Sequence, residues 1–276
     1  MLEVDRWPEL RDPLLVIALH GWVDAGHAGA GAIDELRAQM LHAQPFAHID
    51  LTDVCDLQQT RPTARFVEGG LRVISWPTIV LEAGTVRRDV VLASGPESSL
   101  RWPLVANVFV DVARRLGVRD AVTIAGMPSF TTHRHPVPVL ATATSRSLAQ
   151  ESQPLRADYA GPTGLQTIVQ HELSAAGIPT VGLWAQVPQY VSGSPSPPAV
   201  RAVLGRLVEL FGLDVDLAPL DARCDVYTAK VEDGLSERPD VAQIVAHIDE
   251  ERAESPSGEE LVSEIERFLR SRPDQD

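Results

Sequence analysis

The stretch LLVIALHGWVDAGHAGAGAIDEL, residues 14–36, decides the fold of this chain. Its apolar start, residues 14–19, is short and bounded by Pro13 and Gly21, which predicts a buried strand. From residue 25 to about 41, apolar residues recur at helical spacing and predict a helix. A buried strand that runs directly into a helix is the repeating unit of an α/β protein.

The joint between this strand and helix is rich in glycine. Gly26, Gly29 and Gly31 fall in its first turns, where each costs about 1 kcal/mol relative to alanine. We therefore expect another element to pack very closely against them. Asp24 precedes the helix and is predicted to cap its free N–H groups, a position in which a carboxylate competes with a bound anion. A phosphate loop also needs Lys and Ser/Thr after its last glycine, so no such loop is predicted.

The segment LHGWVDAG, residues 19–26, is also similar to the turn that forms the oxyanion hole of α/β-hydrolases. Such hydrolases need a G-x-S-x-G nucleophile turn, which is missing from the chain. Ser129 and Ser194 lack the flanking glycines. A Ser-His-Asp hydrolase is therefore not expected.

Beyond this stretch the alternation of strands and helices continues to residue 213. It predicts an α/β three-layer sandwich over residues 1–213, with a ligand crevice beyond the carboxyl ends of the strands. A polar loop is predicted at 53–70, followed by an antiparallel or mixed section. We expect Thr163 to cap one helix and Gly117 and Gly177 to end two. Further strands are predicted at 46–51, 71–75, 78–82, 89–93, 120–126, 137–144 and 178–187, and helices at about 102–116, 163–176 and 199–211.

The last part of the chain, residues 214–276, reads as helices only and is predicted to form a helical C-terminal appendage. One apolar stripe consists of Val241, Ile244, Val245 and Ile248. A second stripe, Leu261, Ile265, Phe268 and Leu269, follows a capping box formed by Ser257 and Glu260. We expect the appendage to pack on the core or on a partner.

Five polar residues in the loops that follow strands form the predicted ligand-binding set. They are Asp24, Glu97, Arg101, His133 and Arg134, and their ligand would be a nucleoside, a phosphate or another anion in the crevice. Glu97 and Arg101 could instead form an ion pair one helical turn apart. His133 and His135 project to one side if their segment is extended, but a metal site needs a third ligand, so no metal is predicted. No catalytic residue and no cofactor are assigned.

The amino-acid composition limits the classes of partner that this chain is expected to bind. The net charge is −14, and residues 231–276, with 14 acids and 5 arginines, carry −9 of it. A chain of this kind is expected to bind neither nucleic acid nor an anionic membrane. No apolar run is long enough to span a bilayer, and the start lacks the pattern of a signal peptide, so a cytoplasmic location is expected. Cys55 and Cys224 do not suggest a disulfide framework.

An ordered set of motifs resembles the bacterial branch of the proteasome assembly chaperone 2 family. It spans nearly the whole chain: HGWVDAGHAGAGA, TRP at 60–62, GPESSLRW, GMPSFTTHRHP, YAGPTGLQTIV, GIPTVGLWAQVPQYV with SPSPPA, and SGEELVSEIERFLR. The resemblance implies a three-layer fold similar to purine nucleoside phosphorylases, with a helical C-terminal addition. It also implies self-association into a small homo-oligomer such as a trimer.

The same resemblance implies a non-enzymatic role of the assembly-chaperone type, with proteasome subunits as candidate partners. Two loop positions differ from the family pattern, with His135 in place of an arginine and Gln189 in place of a histidine. The chain ends in SRPDQD, without the hydrophobic-Tyr-X tail by which some relatives dock on proteasomes. That docking mode is therefore not expected. The alternative is an enzyme or small-ligand binder that uses the crevice.

Overall fold

A computed structural model describes residues 1–21, 23–144 and 161–254 of the chain. Its core is an eight-stranded mixed sheet, beside which lies a separate two-stranded hairpin. The strands are β1 (Leu2–Val4), β2 (Leu14–His20), β3 (Leu41–Asp50), β4 (Thr63–Phe66), β5 (Arg72–Ser75), β6 (Thr78–Val86), β7 (Arg88–Pro96), β8 (Asp120–Ser129), β9 (Val139–Ala143) and β10 (Thr180–Pro188).

The order of strands in the large sheet is β1-β3-β6-β7-β2-β8-β10-β9. The four strands β7, β2, β8 and β10 run parallel, and β1, β3, β6 and β9 join them with antiparallel pairing. The antiparallel or mixed section predicted after residue 70 is therefore confirmed. The carboxyl ends of β2, β7, β8 and β10 meet at one edge of the sheet, which we call the carboxyl edge.

Helices cover both faces of this sheet, so the predicted three-layer α/β sandwich is confirmed. One apolar core joins α1 and α4 to the sheet, and a second core on the opposite face joins α2 and α3 to it. Within the described residues, the α-helices are α1 (Ala28–Gln39), α2 (Trp102–Leu116), α3 (Leu165–Ala175), α4 (Pro197–Phe211), α5 (Ala218–Ser236) and α6 (Pro239–Glu254). Left-handed glycines follow α2 and lie two residues after α3, as predicted at Gly117 and Gly177.

The glycines of the opening stretch lie where neighbouring elements approach most closely. A Cβ atom at Gly31 would lie 2.5 Å from Cγ2 of Val200 on α4, and one at Gly29 would lie 3.0 Å from the carbonyl oxygen of Ile124 on β8. The close packing predicted for residues 26–31 is confirmed. It explains why the chain accepts glycine in a helix, because any side chain would separate α1 from the sheet and from α4.

Two local predictions are wrong. Residues 53–70 are not only a polar loop, because they contain β4 and a short 3-10 helix, Glu68–Gly70. Thr163 does not cap the helix that follows it, since α3 begins at Leu165 with Gly164 as its N-cap and no capping side chain there. The N–H of Leu165 instead donates to the Glu97 carboxylate at 2.5 Å.

The described part of the appendage consists of α5 and α6, and the division at residue 213/214 stays a prediction. Leu220, Leu235 and Val245 are buried, whereas Ile244, which the sequence placed on the same stripe as Val245, is exposed. Fewer residues of the predicted apolar stripe are buried than expected, because only a small part of the surface of α6 packs against other elements. The second stripe and its capping box lie outside the described residues. Within 1–21, 23–144 and 161–254, no helix is long and apolar enough to cross a membrane.

Candidate functional site

At the carboxyl edge, where a crevice was predicted, backbone hydrogen bonds join the loops to one another and to the sheet. The N–H of Gly126 on β8 donates to the carbonyl of Val23 at 3.0 Å, which ties the loop after β2 to the next strand. In the loop after β10, the carbonyl of Ser192 accepts the N–H of Gly26 at 2.7 Å, and the N–H of Ser196 donates to the carbonyl of Gly26 at 2.8 Å. Backbone groups that would face a ligand in an open crevice are therefore already paired.

Asp24 is the cap that the sequence predicts. Its Oδ1 accepts from the N–H of Gly29 at 2.7 Å, and its Oδ2 lies 3.4 Å from the N of Ala30. Burial raises the pKa of this carboxyl, although the two N–H groups act in the opposite direction. The carboxylate thus occupies the helix end that an anion would need.

Replacing Asp24 with alanine should lower the free energy of unfolding by about 1 kcal/mol, because the first turn of α1 loses its acceptor. Asp24→Asn should keep most of the stability, since the amide oxygen still accepts an N–H and no charge is buried. Urea denaturation of both variants checks this. Equal losses in the two variants would show that the charge, not the hydrogen bond, stabilises the joint.

Glu97 and Arg101 do not form the predicted ion pair. Glu97 lies just after β7, its N–H donates to the carbonyl of His20 at 3.0 Å, and its carboxylate is bonded to α3 as described above. Arg101 is the N-cap residue of α2 and is exposed, in a left-handed conformation with φ of 55°. The pairing fails because Glu97 precedes the helix rather than lying in its first turn.

The THRH segment, residues 132–135, lies at the carboxyl edge and contacts the appendage. Both guanidinium edges of Arg134 are used: Nε and Nη2 donate to the two oxygens of Glu232 on α5, at 2.6 and 2.9 Å. Its Nη1 donates to Asp249 on α6 at 3.2 Å. Thr132 and His135 bind the other oxygen of Asp249, at 2.6 and 3.1 Å. This one segment therefore fastens both appendage helices to the sheet.

His133 is the buried centre of this arrangement, since its side chain has 0% exposure. The Tyr190 hydroxyl lies 2.6 Å from Nδ1 and accepts the His133 backbone N–H at 3.0 Å, and Nε2 lies 3.0 Å from a Glu232 oxygen. A neutral ring satisfies every contact when Nε2–H donates to Glu232 and the hydroxyl donates to Nδ1. Burial lowers the pKa of His133, which agrees with that neutral form.

The positive charge of Arg134 keeps the carboxylates of Glu232 and Asp249 ionised. Its hydrogen bond lowers the pKa of Glu232 to about 2. Burial opposes the ionisation of Asp249, but the hydrogen bonds from Thr132 and Arg134 outweigh it and lower its pKa. Tyr190 stays protonated because burial raises its pKa to about 12. The network is thus formed by one cation, two anions and a neutral histidine.

Attachment of the appendage should weaken with acid in two stages. The first stage lies below pH 6.5, where released His133 takes up a proton that the buried ring disfavours. The second lies between pH 4.5 and about 2, where Glu232 must be protonated against its lowered pKa. Thermal unfolding followed by circular dichroism across this range, in the native chain and in His133→Asn, tests the assignment. The first stage should be smaller in the variant but not abolished, because burial also lowers the pKa of His20 and that group still contributes; identical profiles in the two proteins would contradict the assignment.

Of the five sequence-predicted residues, the structure brings His133 and Arg134 together and joins them to the appendage. Asp24 and Glu97 lie at the same edge but bind helix N–H groups, and Arg101 takes no part. Ligand binding by this set stays a prediction. Sequence reasoning missed the partners, which are Thr132, Tyr190, Glu232 and Asp249. One feature of the sequence could have indicated the two acidic partners. The loop is cationic, and the C-terminal part of the chain carries most of the negative charge.

A groove of about 660 Å³ lies on the outer side of this contact, between α5, the start of α6 and the segment that leads into α4. Its lining is mainly apolar, and Tyr190 of the network forms part of its wall. Val226 on α5 lines it and is 55% exposed. Within the described ranges, no group of three or more His, Cys, Asp or Glu side chains could hold a metal ion.

The fold and this edge define a class: a three-layer α/β protein whose helical appendage is fastened across the carboxyl edge of its sheet. The model of the PAC2 family matches residues 18–233. The chain belongs to the PAC2 family. The sequence matches no curated protein.

Comparison with solved structures also finds proteins that are similar to this chain. A proteasome-assembly chaperone homologue of Mycobacterium tuberculosis is 34% identical over 84% of this chain and 99% of that chain, with a TM-score of 0.77. A PAC2 family protein of Streptomyces avermitilis is 37% identical over 85% of this chain and 100% of that chain, with a TM-score of 0.78. An archaeal proteasome activator of Pyrococcus furiosus shares the fold at 19% identity, with coverage of 86% and 98% and a TM-score of 0.69.

Proposed function

We propose that this protein is an assembly-chaperone-like protein that acts through contacts with other proteins, with proteasome subunits as candidate partners. The observation that carries the proposal is the groove on the appendage, an open apolar surface held in place by the THRH segment. Membership of the PAC2 family and the similarity to a proteasome-assembly chaperone homologue support it. We further propose a cytoplasmic location and a role that is not enzymatic and needs no cofactor.

Exposed apolar side chains at the carboxyl edge add to the apolar surface that could contact a partner protein. Phe130, in the loop after β8, is 83% exposed, and Met127, Leu100 and Leu104 are exposed beside the ends of β8 and β7. Large apolar side chains that gather at one edge of a protein are typical of a surface that meets another protein. The net charge of −14 on the chain and the cations Arg223, Lys230 and Arg238 in the groove lining would favour selection among partners and fast association more than tight binding.

Capture of purified proteasome α and β subunits on the immobilised full chain tests the proposal. Val226→Asp places a charge in the groove at an exposed position and should reduce capture at least tenfold, because a desolvated carboxylate opposes apolar contact. Leu41→Asp is the matched control, since Leu41 is also exposed, at 65% against 55% for Val226, but lies on β3, outside the groove lining. Failure of the native chain to capture any subunit, or equal loss in both variants, would overturn the proposal.

Self-association is the second part of the proposal, and the β4–β5 hairpin is its candidate surface. Every residue of both strands is exposed, including Phe66 and Ile74, although a two-stranded ribbon is marginally stable by itself. Between residues 61 and 76 the chain carries three arginines and one glutamate, against a net charge of −14 overall. A basic, apolar arm on an acidic molecule fits the surface of a second copy.

Sedimentation of the native chain should show a small oligomer such as a trimer. The double variant Phe66→Asp, Ile74→Asp should be a monomer. An unchanged mass in the variant would exclude the hairpin as the self-association surface.

A further inference from the structure

Four arginines converge at the opposite edge of the sheet, where the parallel strands begin. Arg11 precedes β2, Arg87 and Arg88 lie at the turn into β7, and Arg119 precedes β8. They line one open cavity of about 420 Å³, which Asp12 and the end of α4 also border. The strands β7, β2 and β8 are neighbours in the sheet, and they bring together arginines that are up to 108 positions apart in the sequence (119 − 11). The cavity shares no lining residue with the groove.

The carboxylates near this cavity neutralise the arginines only in part. Asp89 is occupied by the backbone N–H of Arg11 at 2.7 Å and by the Thr85 hydroxyl at 3.1 Å. Asp120 lies 3.5 Å from Nε of Arg119 and 3.8 Å from Nη2 of Arg88, beyond ordinary hydrogen-bond distance. In the part of the chain that the structure describes, no carboxylate oxygen lies within 4.0 Å of the guanidinium groups of Arg11 and Arg87. With Asp12 in the lining and Asp89 and Asp120 beside it, the four arginines leave a formal charge of +1 (4 − 3).

One of these guanidinium groups is held in position before any ligand arrives. Nη2 of Arg88 donates to the backbone carbonyl of Asp12 at 2.7 Å, which leaves its other N–H groups available. Arg87 and Asp12 both have left-handed backbones, with φ of 63° and 43°, at positions where glycine or asparagine would be easier. The chain therefore keeps a charged side chain in a strained turn beside the fixed donor.

We propose that this cavity binds a small polyanion of the pyrophosphate class. Arg88 serves as the fixed donor, and Arg11, Arg87 and Arg119 supply the surrounding positive charge. The planar guanidinium fork matches paired oxyanion oxygens, and several forks in one concave site favour two adjacent anionic groups over one. The volume suits a small molecule. A bound anion also relieves the mutual repulsion of the four cations, so binding should stabilise the fold. This site is independent of the proposed assembly role.

Isothermal titration of the full chain with sodium pyrophosphate, at constant ionic strength, tests the proposal, together with thermal unfolding. We expect saturable binding and a rise in Tm of about 3 °C near saturation. Arg87→Asn with Arg119→Gln should weaken binding at least tenfold; asparagine is chosen because it tolerates the left-handed backbone. Arg6→Gln with Arg252→Gln removes the same charge from exposed positions outside the cavity lining and should bind like the native chain.

The stability of the variants without ligand gives a second measurement. The Arg87→Asn, Arg119→Gln protein should be at least as stable as the native chain when no anion is present, because cation repulsion is reduced. Three results would overturn the proposal: no binding to the native chain, equal binding by both double variants, or a Tm rise that sodium chloride of equal ionic strength reproduces. Tighter binding of orthophosphate than of pyrophosphate would overturn the assignment of the ligand class.

Discussion

Gly126→Ala should lower the free energy of unfolding by about 4 kcal/mol, among the largest effects expected of a single substitution here. A Cβ atom at residue 126 would lie 2.0 Å from the carbonyl oxygen of Ala25, and the neighbour is backbone, not a side chain that can turn away. The loop after β2 would have to move and would break the bond from Gly126 to Val23. Overpacking of this kind is costly because the interior has no space to absorb it.

Urea denaturation measures this loss, and Gly205→Ala is its control. Gly205 lies within α4, and a Cβ atom there would meet nothing within 4 Å. Alanine at that position should raise the free energy of unfolding by about 0.5–1 kcal/mol, because it favours the helix. A Gly126→Ala protein within 1 kcal/mol of the native chain would show that the loop is not packed against β8 as described.

Neutralising the two carboxylates that meet the THRH segment should release the appendage from the carboxyl edge. In the double variant Glu232→Gln, Asp249→Asn, Arg134 loses both charged acceptors. The side chains of Arg134 and Glu232 are each more than a third exposed, so the ion pair alone would contribute little in water. The larger effect comes from His133, whose buried Nε2–H faces Glu232 on α5 and loses its charged acceptor in the double variant.

Amide hydrogen exchange measures this release. Exchange in α6 should become at least tenfold faster in the double variant, while the strands β8 and β10 keep the protection of the native chain. Asp225→Asn with Glu250→Gln is the matched control, since it removes the same charge from exposed positions on α5 and α6. Faster exchange in the control as well would show that net charge, not the network, governs attachment.

Features set by near neighbours in the chain were predictable from sequence. The apolar run of β2, the Asp24 cap and the glycine ends of helices depend on residues a few positions apart, and their chemistry is local. The glycines of residues 26–31 even predicted a close approach before its partner was known. That partner, Val200, lies 169 positions from Gly31 (200 − 31), and nothing in the local pattern could identify it.

The candidate site was less predictable because its residues meet only after folding. Glu232 and Asp249 are about 100 positions from Arg134 and belong to an acidic tail that reads as a solvated surface. Glu97 appeared to start a helix, yet its carboxylate serves Leu165, which is 68 positions away. The sequence selected the histidine and arginine of the THRH segment as candidate ligand-binding residues, and that role stays a prediction. Their contact with the appendage required knowledge of which of many acids lies opposite them.

The imidazole nitrogens of His133 give the most direct test of the central claim, which is that the THRH segment holds the appendage at the carboxyl edge. Nitrogen-15 NMR of the full chain, with the signal assigned by its loss in His133→Asn, reports tautomer and pKa together. We expect a neutral ring at pH 7 with the proton on Nε2, facing Glu232, and a pKa of His133 below 6.5. A ring that exchanges freely between tautomers, with a pKa of 6.5 or above, would contradict it.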